Sequence, residues 1–457
     1  MIEADMHHLP SALRTLTAVA AAAALLAACG GGSDDPAVAA PPTAVADNDE
    51  ADATTLEQVA QIRTQVETQL RAANVPPAGD QPVNGPGGGE PAAQSLGWFP
   101  GVKQTNLVAN KPEFGAQIVD PDLKNPWGIA IRPAGLGGHF WFASAGSGKS
   151  LQYVGDVSGT PLFQDDLKVV DTLGPATGTA FNPGSNFVIT QPHENGAITN
   201  ATKFFFANAS GTVTAWTERA RPEGGFDRPT DSKVVVDGTA KHANYLGVTV
   251  TPDATRMLVA DFGAEAALRV FDGSFVEQAP LKNPYQPVGR AKPGGFEAFN
   301  VQTLGQSVFA TYGRHVAPDP TKPPPAEGRL AEFDAQGKLI AKWAGRGYLN
   351  YPWGVAIAPK NYGIYSGCLL VGNFGDGTIV AFHPRYKVAL DYVRDDHGKR
   401  VALDGLWGLQ FGNGASLGEA NHMYFASGPN KEADGLVGKL EANPKTLPYI
   451  GGISMCR

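Results

Sequence analysis

The chain has 457 residues and a formal net charge of −8, with 36 Lys and Arg residues against 44 Asp and Glu residues. This balance leaves no basic surface, which excludes the usual kind of nucleic-acid-binding protein. The 56 glycines and 36 prolines predict many turns, and we expect those turns to separate strands because only one stretch has convincing helical periodicity.

Residues 1–28 have the pattern of a signal peptide. Arg14 precedes an apolar run from Leu16 to Ala28, which is shorter than the roughly 20 residues that cross a bilayer as a helix. The run ends in Leu26-Ala-Ala-Cys-Gly30, which resembles the lipobox of bacterial lipoproteins. The resemblance implies export, lipidation of Cys29 and anchoring at the cell envelope, at the outer membrane or periplasm in a Gram-negative host. A plain secretory signal with an incidental cysteine is the alternative.

Residues 29–100 form a tether of low complexity. They are rich in Ala, Pro, Gly and Asp, a composition that cannot bury enough apolar surface to fold as a domain, so we expect a disordered linker. Within it, apolar residues at three- and four-residue spacing predict one amphipathic helix over residues 55–73. This helix either rests on the folded body or docks a partner. The spaced residues are Leu56, Val59, Ile62, Val66 and Leu70.

Residues 101–457 contain an internal repeat with six copies. Each copy has a glycine, or once an asparagine, in a short apolar strand, and the steps between them are 50, 69, 53, 54 and 54 residues. Such steps hold about four short strands each, which predicts an all-β, six-bladed β-propeller. Residues 102–108 are expected to close the ring as an outer strand of the last blade. The register residues are Gly128, Gly178, Gly247, Asn300, Gly354 and Gly408.

The repeat pattern, Pro-x-Gly-hydrophobic-Ala followed by strands ending like Val-Ala-Asp and Val-Phe-Asp, resembles NHL repeats. Four segments resemble more closely an uncharacterised bacterial family of exported propellers. They are Asn125–Ala130, Val371–Gly377, Asp404–Gly408 and Gly428–Leu436. The resemblance covers about residues 104–440 and implies the fold and export, without an established activity.

The residues before the repeat glycines decide which ligand the channel mouth can take. In related six-bladed lactonases and amidating lyases, oxygen ligands at this position hold a divalent cation. Here the position carries Trp127, Thr177, Leu246, Trp353 and Trp407. The three indoles, with His242 on the same face, predict a platform for an apolar or sugar-like ligand. The alternative is that the indoles only fill the channel.

Two further groups of residues are candidates for chemistry. Asn208, Asp261 and Asn373 occupy one strand-end position in three blades, so they either share Ca²⁺ or another divalent cation or make Asx turns. Glu297 and Asp404 just precede first strands and are the candidate acid/base pair, if catalysis occurs, or are ordinary loop residues. Cys368 is either a small buried hydrophobe or the disulfide partner of Cys456.

The sequence therefore favours a monomeric, lipid-anchored propeller at the cell envelope that binds a ligand or a protein. A protein or carbohydrate partner is expected, with membrane contact only through the anchor and no nucleic acid. The alternative is a metal-assisted hydrolase or lyase of the lactonase type with its site at the channel mouth. A purely structural adaptor without a small-molecule site is the third possibility.

Overall fold

The computed structural model describes residues 51–72, 100–286, 295–315, 328–443 and 453–456. The predictions for the signal peptide, for Cys29 and for most of the tether lie outside these residues. The described body consists of six antiparallel blades, each with four strands, so the chain is an all-β, six-bladed propeller. Within the described ranges, no helix is long and apolar enough to cross a bilayer.

The strands of the first half run from the closing strand through blade 3. β1 (Val102–Ala109) pairs in parallel with β2 (Ile118–Val119). Blade 1 contains β3 (Pro126–Ala130), β4 (Phe140–Ser144), β5 (Lys149–Tyr153) and β6 (Val169–Asp171). Blade 2 contains β7 (Ala176–Phe181), β10 (Phe204–Asn208), β11 (Thr212–Trp216) and β14 (Lys233–Asp237). Blade 3 contains β15 (Tyr245–Val250), β16 (Arg256–Asp261), β17 (Ala267–Asp272) and β18 (Glu277–Leu281).

Blades 4 to 6 complete the ring. Blade 4 contains β19 (Phe296–Leu304), β20 (Ser307–Arg314), β21 (Gly328–Phe333) and β22 (Leu339–Trp343). Blade 5 contains β23 (Pro352–Ile357), β24 (Leu369–Asn373), β25 (Ile379–His383) and β26 (Val388–Tyr392). Blade 6 contains β27 (Leu406–Phe411), β28 (His422–Ser427) and β29 (Leu436–Ala442), followed by β1.

Closure of the ring joins the two ends of the body. β1 pairs antiparallel with β29, from Val102 opposite Ala442 to Ala109 opposite Leu436. The first strands of the six blades contact one another in circular order around a central channel. Val102–Ala109 is thus the strand outside β29 in the last blade, as the sequence predicts for residues 102–108.

The long second repeat has a local cause. Blade 2 carries two additional hairpins, β8 (Val188–Gln191) with β9 (Ile198–Ala201), and β12 (Arg219–Ala220) with β13 (Phe226–Asp227). These hairpins account for the step of 69 residues between Gly178 and Gly247.

One helix, α1 (Ala53–Ala72), lies against the propeller. Its start is capped by Asp52, whose Oδ1 accepts a hydrogen bond from the backbone N–H of Thr55 at 2.7 Å. Val59, Val66 and Leu70 are buried in the same cluster as side chains of blades 5 and 6. The apolar side of α1 is therefore covered by the body of the same chain.

A disulfide joins Cys368, just before β24, to Cys456, 88 residues later. It fixes the described C-terminal residues against blade 5, where the Met455 backbone N–H also donates to the Ile364 carbonyl at 2.9 Å. Cys368 is completely buried, so this cysteine is both a core residue and a disulfide partner.

Candidate functional site

The channel is narrowest at the repeat glycines. A Cβ added at Gly128 would lie 2.7 Å from the Thr179 backbone nitrogen, and one at Gly408 would lie 2.4 Å from the Trp127 carbonyl oxygen. Both distances are shorter than van der Waals contact, so only glycine allows adjacent first strands to approach this closely. Asn300 replaces glycine in blade 4, and its Nδ2 donates to the Trp353 carbonyl at 2.8 Å. At this waist the free space shrinks to about 20 Å³, roughly the room of one water molecule.

Every first strand has a β-bulge immediately before the waist. In each blade the register between the first and second strands shifts at the residue that precedes the glycine or Asn300. A bulge redirects side chains, and here it brings six residues of one repeat position to the same end of the channel. These residues are Trp127, Thr177, Leu246, Phe299, Trp353 and Trp407.

Five of these six residues form an aromatic plug, together with Phe262, Tyr351 and Phe374. Trp407 is the centre of the plug. It stacks on Trp127 with 3.3 Å between ring centroids and on Phe374 with 3.9 Å. Trp353 meets Trp127 edge-on at 6.0 Å. The channel is therefore filled at the end where the first strands begin.

The plug buries three of the four residues that were predicted to bind a ligand. Trp127, Trp353 and Trp407 are each no more than 3% exposed. His242 is exposed, with a left-handed backbone at φ 51°, and makes no described contact with the three indoles. A ligand would contact the indoles only if the plug opened, so a ligand role for these four residues stays a prediction.

The other end of the channel is open. A funnel with a volume of about 520 Å³ is lined by the far ends of the first strands of blades 1, 2, 3, 4 and 6. This volume lies within the range of about 300–1,000 Å³ that is usual for ligand sites. The funnel was not predicted from the sequence, whose pattern placed the channel mouth at the end where the first strands begin.

The funnel wall includes one charged side chain that is paired within the protein. Arg132 is the charged residue among those that line it, and its guanidinium pairs with Glu218 at 2.5 Å. Glu218 also accepts from Arg228 at 3.0 Å. Arg132 is 9% exposed and Glu218 is 3% exposed, so the ion pair belongs to the wall and leaves no free carboxylate in the funnel.

Three uncharged side chains in the funnel keep unused hydrogen-bonding groups. Gln302 accepts from the Val355 backbone N–H at 2.8 Å, and no hydrogen bond of its Nε2 is present among the described residues. Gln410 donates from Nε2 to the Phe411 carbonyl at 2.9 Å, and its Oε1 has no hydrogen bond within the described ranges. The Thr179 hydroxyl is buried without a partner in the described part of the chain.

The predicted metal ligands remain in their own blades. Asp261 uses Oδ1 to accept from the backbone N–H groups of Asn244 and Gly263, both at 2.9 Å, and Oδ2 to accept from Arg269 at 2.7 Å. Asn373 accepts from the Asn350 backbone N–H at 3.0 Å. These bonds connect each strand end to the loop that enters its own blade.

Asn208 differs from both residues. Its side chain is completely buried, and neither Oδ1 nor Nδ2 has a partner among the described residues. The loop entering blade 2 has Pro175 where blade 3 has Asn244, and proline has no N–H to donate. Over the ranges that the structure describes, no group of three His, Cys, Asp or Glu side chains could hold a metal ion. A cation at Asn208, Asp261 and Asn373 stays a prediction.

Glu297 is a buried carboxyl in blade 4. It accepts hydrogen bonds from Gln286 and, at 3.5 Å, from Asn283. Burial raises its pKa, against the opposing effects of His315 and these two amides. Asp404 lies in blade 6, where its Oδ2 accepts from the Asn430 backbone N–H at 2.8 Å. The two predicted acid/base residues thus have separate partners in separate blades.

Asn125 and Glu432 adjoin the plug, and neither was predicted from the sequence as a site residue. Asn125 accepts from Trp407 Nε1 at 3.0 Å and donates to Glu432 Oε2 at 2.8 Å. Burial raises the pKa of Glu432, and the bond from Asn125 opposes this effect. Residues Asn430, Lys431 and Glu432 all have positive φ between 57° and 67°. The only sequence signal was the polar run between Gly428 and Gly435, which indicates a turn without its handedness.

No known family model matches the chain. Two uncharacterized proteins of Acanthamoeba polyphaga mimivirus are similar to it. One is 28% identical over 343 residues, which cover 73% of this chain and 78% of the relative. The other is 26% identical over 349 residues, which cover 74% and 85%. These relatives are viral and do not support the bacterial origin that the sequence resemblance implied, and the relation to NHL repeats stays a prediction.

Solved structures with low similarity include a hydrazine synthase of Kuenenia stuttgartiensis. It is 15% identical, with 70% of this chain and 96% of that chain covered and a TM-score of 0.39. A gluconolactonase of Xanthomonas campestris is 14% identical, with 75% and 99% covered and a TM-score of 0.34. The six blades are established by the strand pairing of this chain itself.

Proposed function

We propose that this protein is a binding module whose ligand enters the funnel. The observation that supports this proposal is the asymmetry of the channel, which is filled by buried rings at one end and opens into about 520 Å³ at the other. A concave site on a rigid scaffold, with a few polar groups among apolar ones, is the usual form of a small-molecule site.

A saturation-transfer NMR experiment with a mixture of neutral and charged ring-sized fragments, on the purified full chain, tests this proposal. Ala180 lines the funnel and is partly exposed, so Ala180→Trp should fill the funnel and abolish the fragment signals. Gln410→Trp, from blade 6, is the second variant in case Ala180→Trp does not fold. The matched control is Ala264→Trp, at an exposed turn on the plug side next to His242.

The outcomes separate the two ends of the channel. Loss of signal in the funnel variants alone supports the proposal. Loss in Ala264→Trp alone would overturn it and would favour a site on the plug face, as the sequence predicted. Equal signals in all variants would overturn it as well.

Anchoring at the cell envelope through Cys29 is part of the proposed function. The support is the Leu-Ala-Ala-Cys sequence after the apolar run. Expression in a bacterial host with a radiolabelled fatty acid should label the full chain and place it in the membrane fraction. Cys29→Ser should remove both properties, and Cys368→Ser should leave them unchanged.

The second candidate is a hydrolase or lyase, and Glu297 is the observation that favours it. A carboxyl whose pKa is raised by burial keeps its proton to a higher pH than an ordinary glutamate, which is the property a general acid needs. The predicted cation ligands do not fit a shared ion as they stand, because the oxygens of Asp261 are already bonded. Hydrolysis of simple lactones, measured with EDTA and with added Ca²⁺ for the wild type and Glu297→Gln, tests this candidate. Activity lost in the variant would support it.

A further inference from the structure

The funnel has a chemical character that narrows its ligand class. Arg132 is the single charged side chain among the described residues that line the funnel, and its partner Glu218 is itself 3% exposed. A cationic ligand would find no free carboxylate among the described lining residues, and an anionic ligand would lose its hydration and meet only the largely buried Arg132, which already pairs with Glu218. The wall therefore favours a neutral ligand.

Two glutamines of the funnel, one on blade 4 and one on blade 6 with blade 5 between them, present a donor and an acceptor. Gln302 is on the first strand of blade 4, and its Oε1 is held by the Val355 N–H, so its Nε2 must be the end that faces a ligand. Gln410 is on the first strand of blade 6, and its Nε2 is held by the Phe411 carbonyl, so its Oε1 is the free end. Since backbone groups fix both orientations, the two amides present one N–H donor side and one C=O acceptor side.

Apolar surface completes the wall. Phe181 and Phe411 line the funnel and are partly exposed. Each ring is packed from behind, Phe181 against Phe204 at 5.5 Å and Phe411 against Tyr362 at 4.9 Å, so the rings are held in place. A ligand that carries hydroxyl groups on its rim and C–H groups on its faces matches this combination of amides and aromatic rings.

The waist limits how far a ligand can enter. Below the funnel, the free volume of the channel falls to about 20 Å³ at the waist formed by Gly128, Gly178, Asn300 and Gly408. No ring-sized group passes this constriction, so a long ligand can insert only its end.

We propose that the funnel binds the end of a neutral saccharide, with Gln302 Nε2 donating to one ligand hydroxyl and Gln410 Oε1 accepting from another. This inference rests on the proposed function of the funnel as a ligand site. It assigns the substrate class and the two residues that select hydroxyl groups.

Titration calorimetry of the full chain with three neutral trisaccharides, cellotriose, maltotriose and tri-N-acetylchitotriose, tests the inference. Trigalacturonate is the charged counterpart. At least one neutral trisaccharide should bind, and trigalacturonate should bind more weakly by about tenfold or more. Gln410→Met should lower the affinity for the neutral trisaccharide by about three- to tenfold, since it removes one hydrogen bond.

Matched variants keep the outcomes distinct. Gln302→Met removes the donor and should have a similar effect, whereas Gln278→Met, on the exposed outer strand of blade 3, should leave the affinity unchanged. Equal or tighter binding of trigalacturonate, or full affinity in Gln302→Met and Gln410→Met, would overturn the saccharide assignment. If fragments bind in the funnel but no trisaccharide does, the saccharide class is wrong while the proposed function stands. If neither binds, both are wrong.

Discussion

The indole of Trp127 stacks on the indole of Trp407, with 14° between the ring planes. Trp127 belongs to the first blade and Trp407 to the last, so this contact crosses the junction at which the propeller closes. The β1–β29 pairing joins the same two parts of the chain within blade 6. Closure is thus held both by a hydrogen-bonded strand and by an aromatic stack at the channel axis.

Trp407→Ala should lower the free energy of unfolding by about 3–5 kcal/mol, because it leaves a cavity between Trp127 and Phe374. Trp407→Phe keeps a ring in that space and should cost less. Urea denaturation of the full chain measures both changes. Leu136→Ala, at a side chain that is 56% exposed, is the control and should change stability by less than about 0.5 kcal/mol. A cost below about 1 kcal/mol for Trp407→Ala would contradict the plug and would favour a ligand role for the indoles.

Asn208 and Asn373 provide a matched pair at one position in two blades. Asn373 makes hydrogen bonds with Asn350, Tyr348 and Thr378, so Asn373→Ala should cost about 1–3 kcal/mol. Asn208 has no described partner, so Asn208→Ala should be close to neutral or stabilising. Denaturation of the two variants under the same conditions measures the difference.

Equal costs for the two asparagines would show that Asn208 has a partner in solution. Repeating the measurement with EDTA and with added Ca²⁺ then separates a cation from a water molecule. If added Ca²⁺ raises the free energy of unfolding of the wild type but not that of Asn208→Ala, the predicted metal site is supported.

The blades could be predicted because their signals are local. A glycine and its apolar neighbours recur at nearly constant steps, and Val102–Ala109 lies almost where the closing strand is expected. The fourth repeat shows the limit of this approach. Asn300 replaces glycine there, and Phe299 was not recognised as the residue that completes the plug.

The site could be predicted only in part, because its chemistry depends on contacts between distant segments. Asn208 and Asn373 look equivalent in the sequence, yet Asn373 accepts a hydrogen bond from the Asn350 backbone N–H and Asn208 has no partner among the described residues. Gln302 and Gln410 come together only through the ring geometry of the blades. Their spacing along the chain contains no pattern that reveals a shared cavity.

Removal of the Cys368–Cys456 disulfide should destabilise the full chain. The bond closes a loop of 88 residues, for which the loss is expected to be about 2–5 kcal/mol. Cys456→Ser, which removes little volume, is the variant to compare with the wild type in urea denaturation. Addition of dithiothreitol should lower the free energy of unfolding of the wild type to that of the variant. It should leave the free energy of unfolding of the variant unchanged. A wild type that does not respond to the reductant would show that the bond contributes nothing.

The buried carboxyl of Glu432 should make stability depend on pH. Burial raises its pKa above the ordinary value of 4.5, so the folded state keeps a proton that the unfolded state has already released. The contribution of protonated Glu432 to the free energy of unfolding is therefore fully present below about pH 4.5 and is lost as the pH rises through the folded-state pKa. Glu432→Gln cannot ionise and still offers Asn125 an acceptor oxygen, so it should gain stability relative to the wild type at about pH 8 and lose that advantage at about pH 4.

Urea denaturation at both pH values measures this difference. Glu297, whose pKa is also raised, contributes equally to the wild type and to Glu432→Gln and cancels in the comparison. Glu223→Gln, at an exposed position of blade 2, is the matched control and should follow the wild type at both pH values. If Glu432→Gln also follows the wild type, the carboxyl is ionised in the folded state. The bond from Asn125 would then join a charged Glu432 to the aromatic plug, and Glu432 would add no pH dependence to the free energy of unfolding.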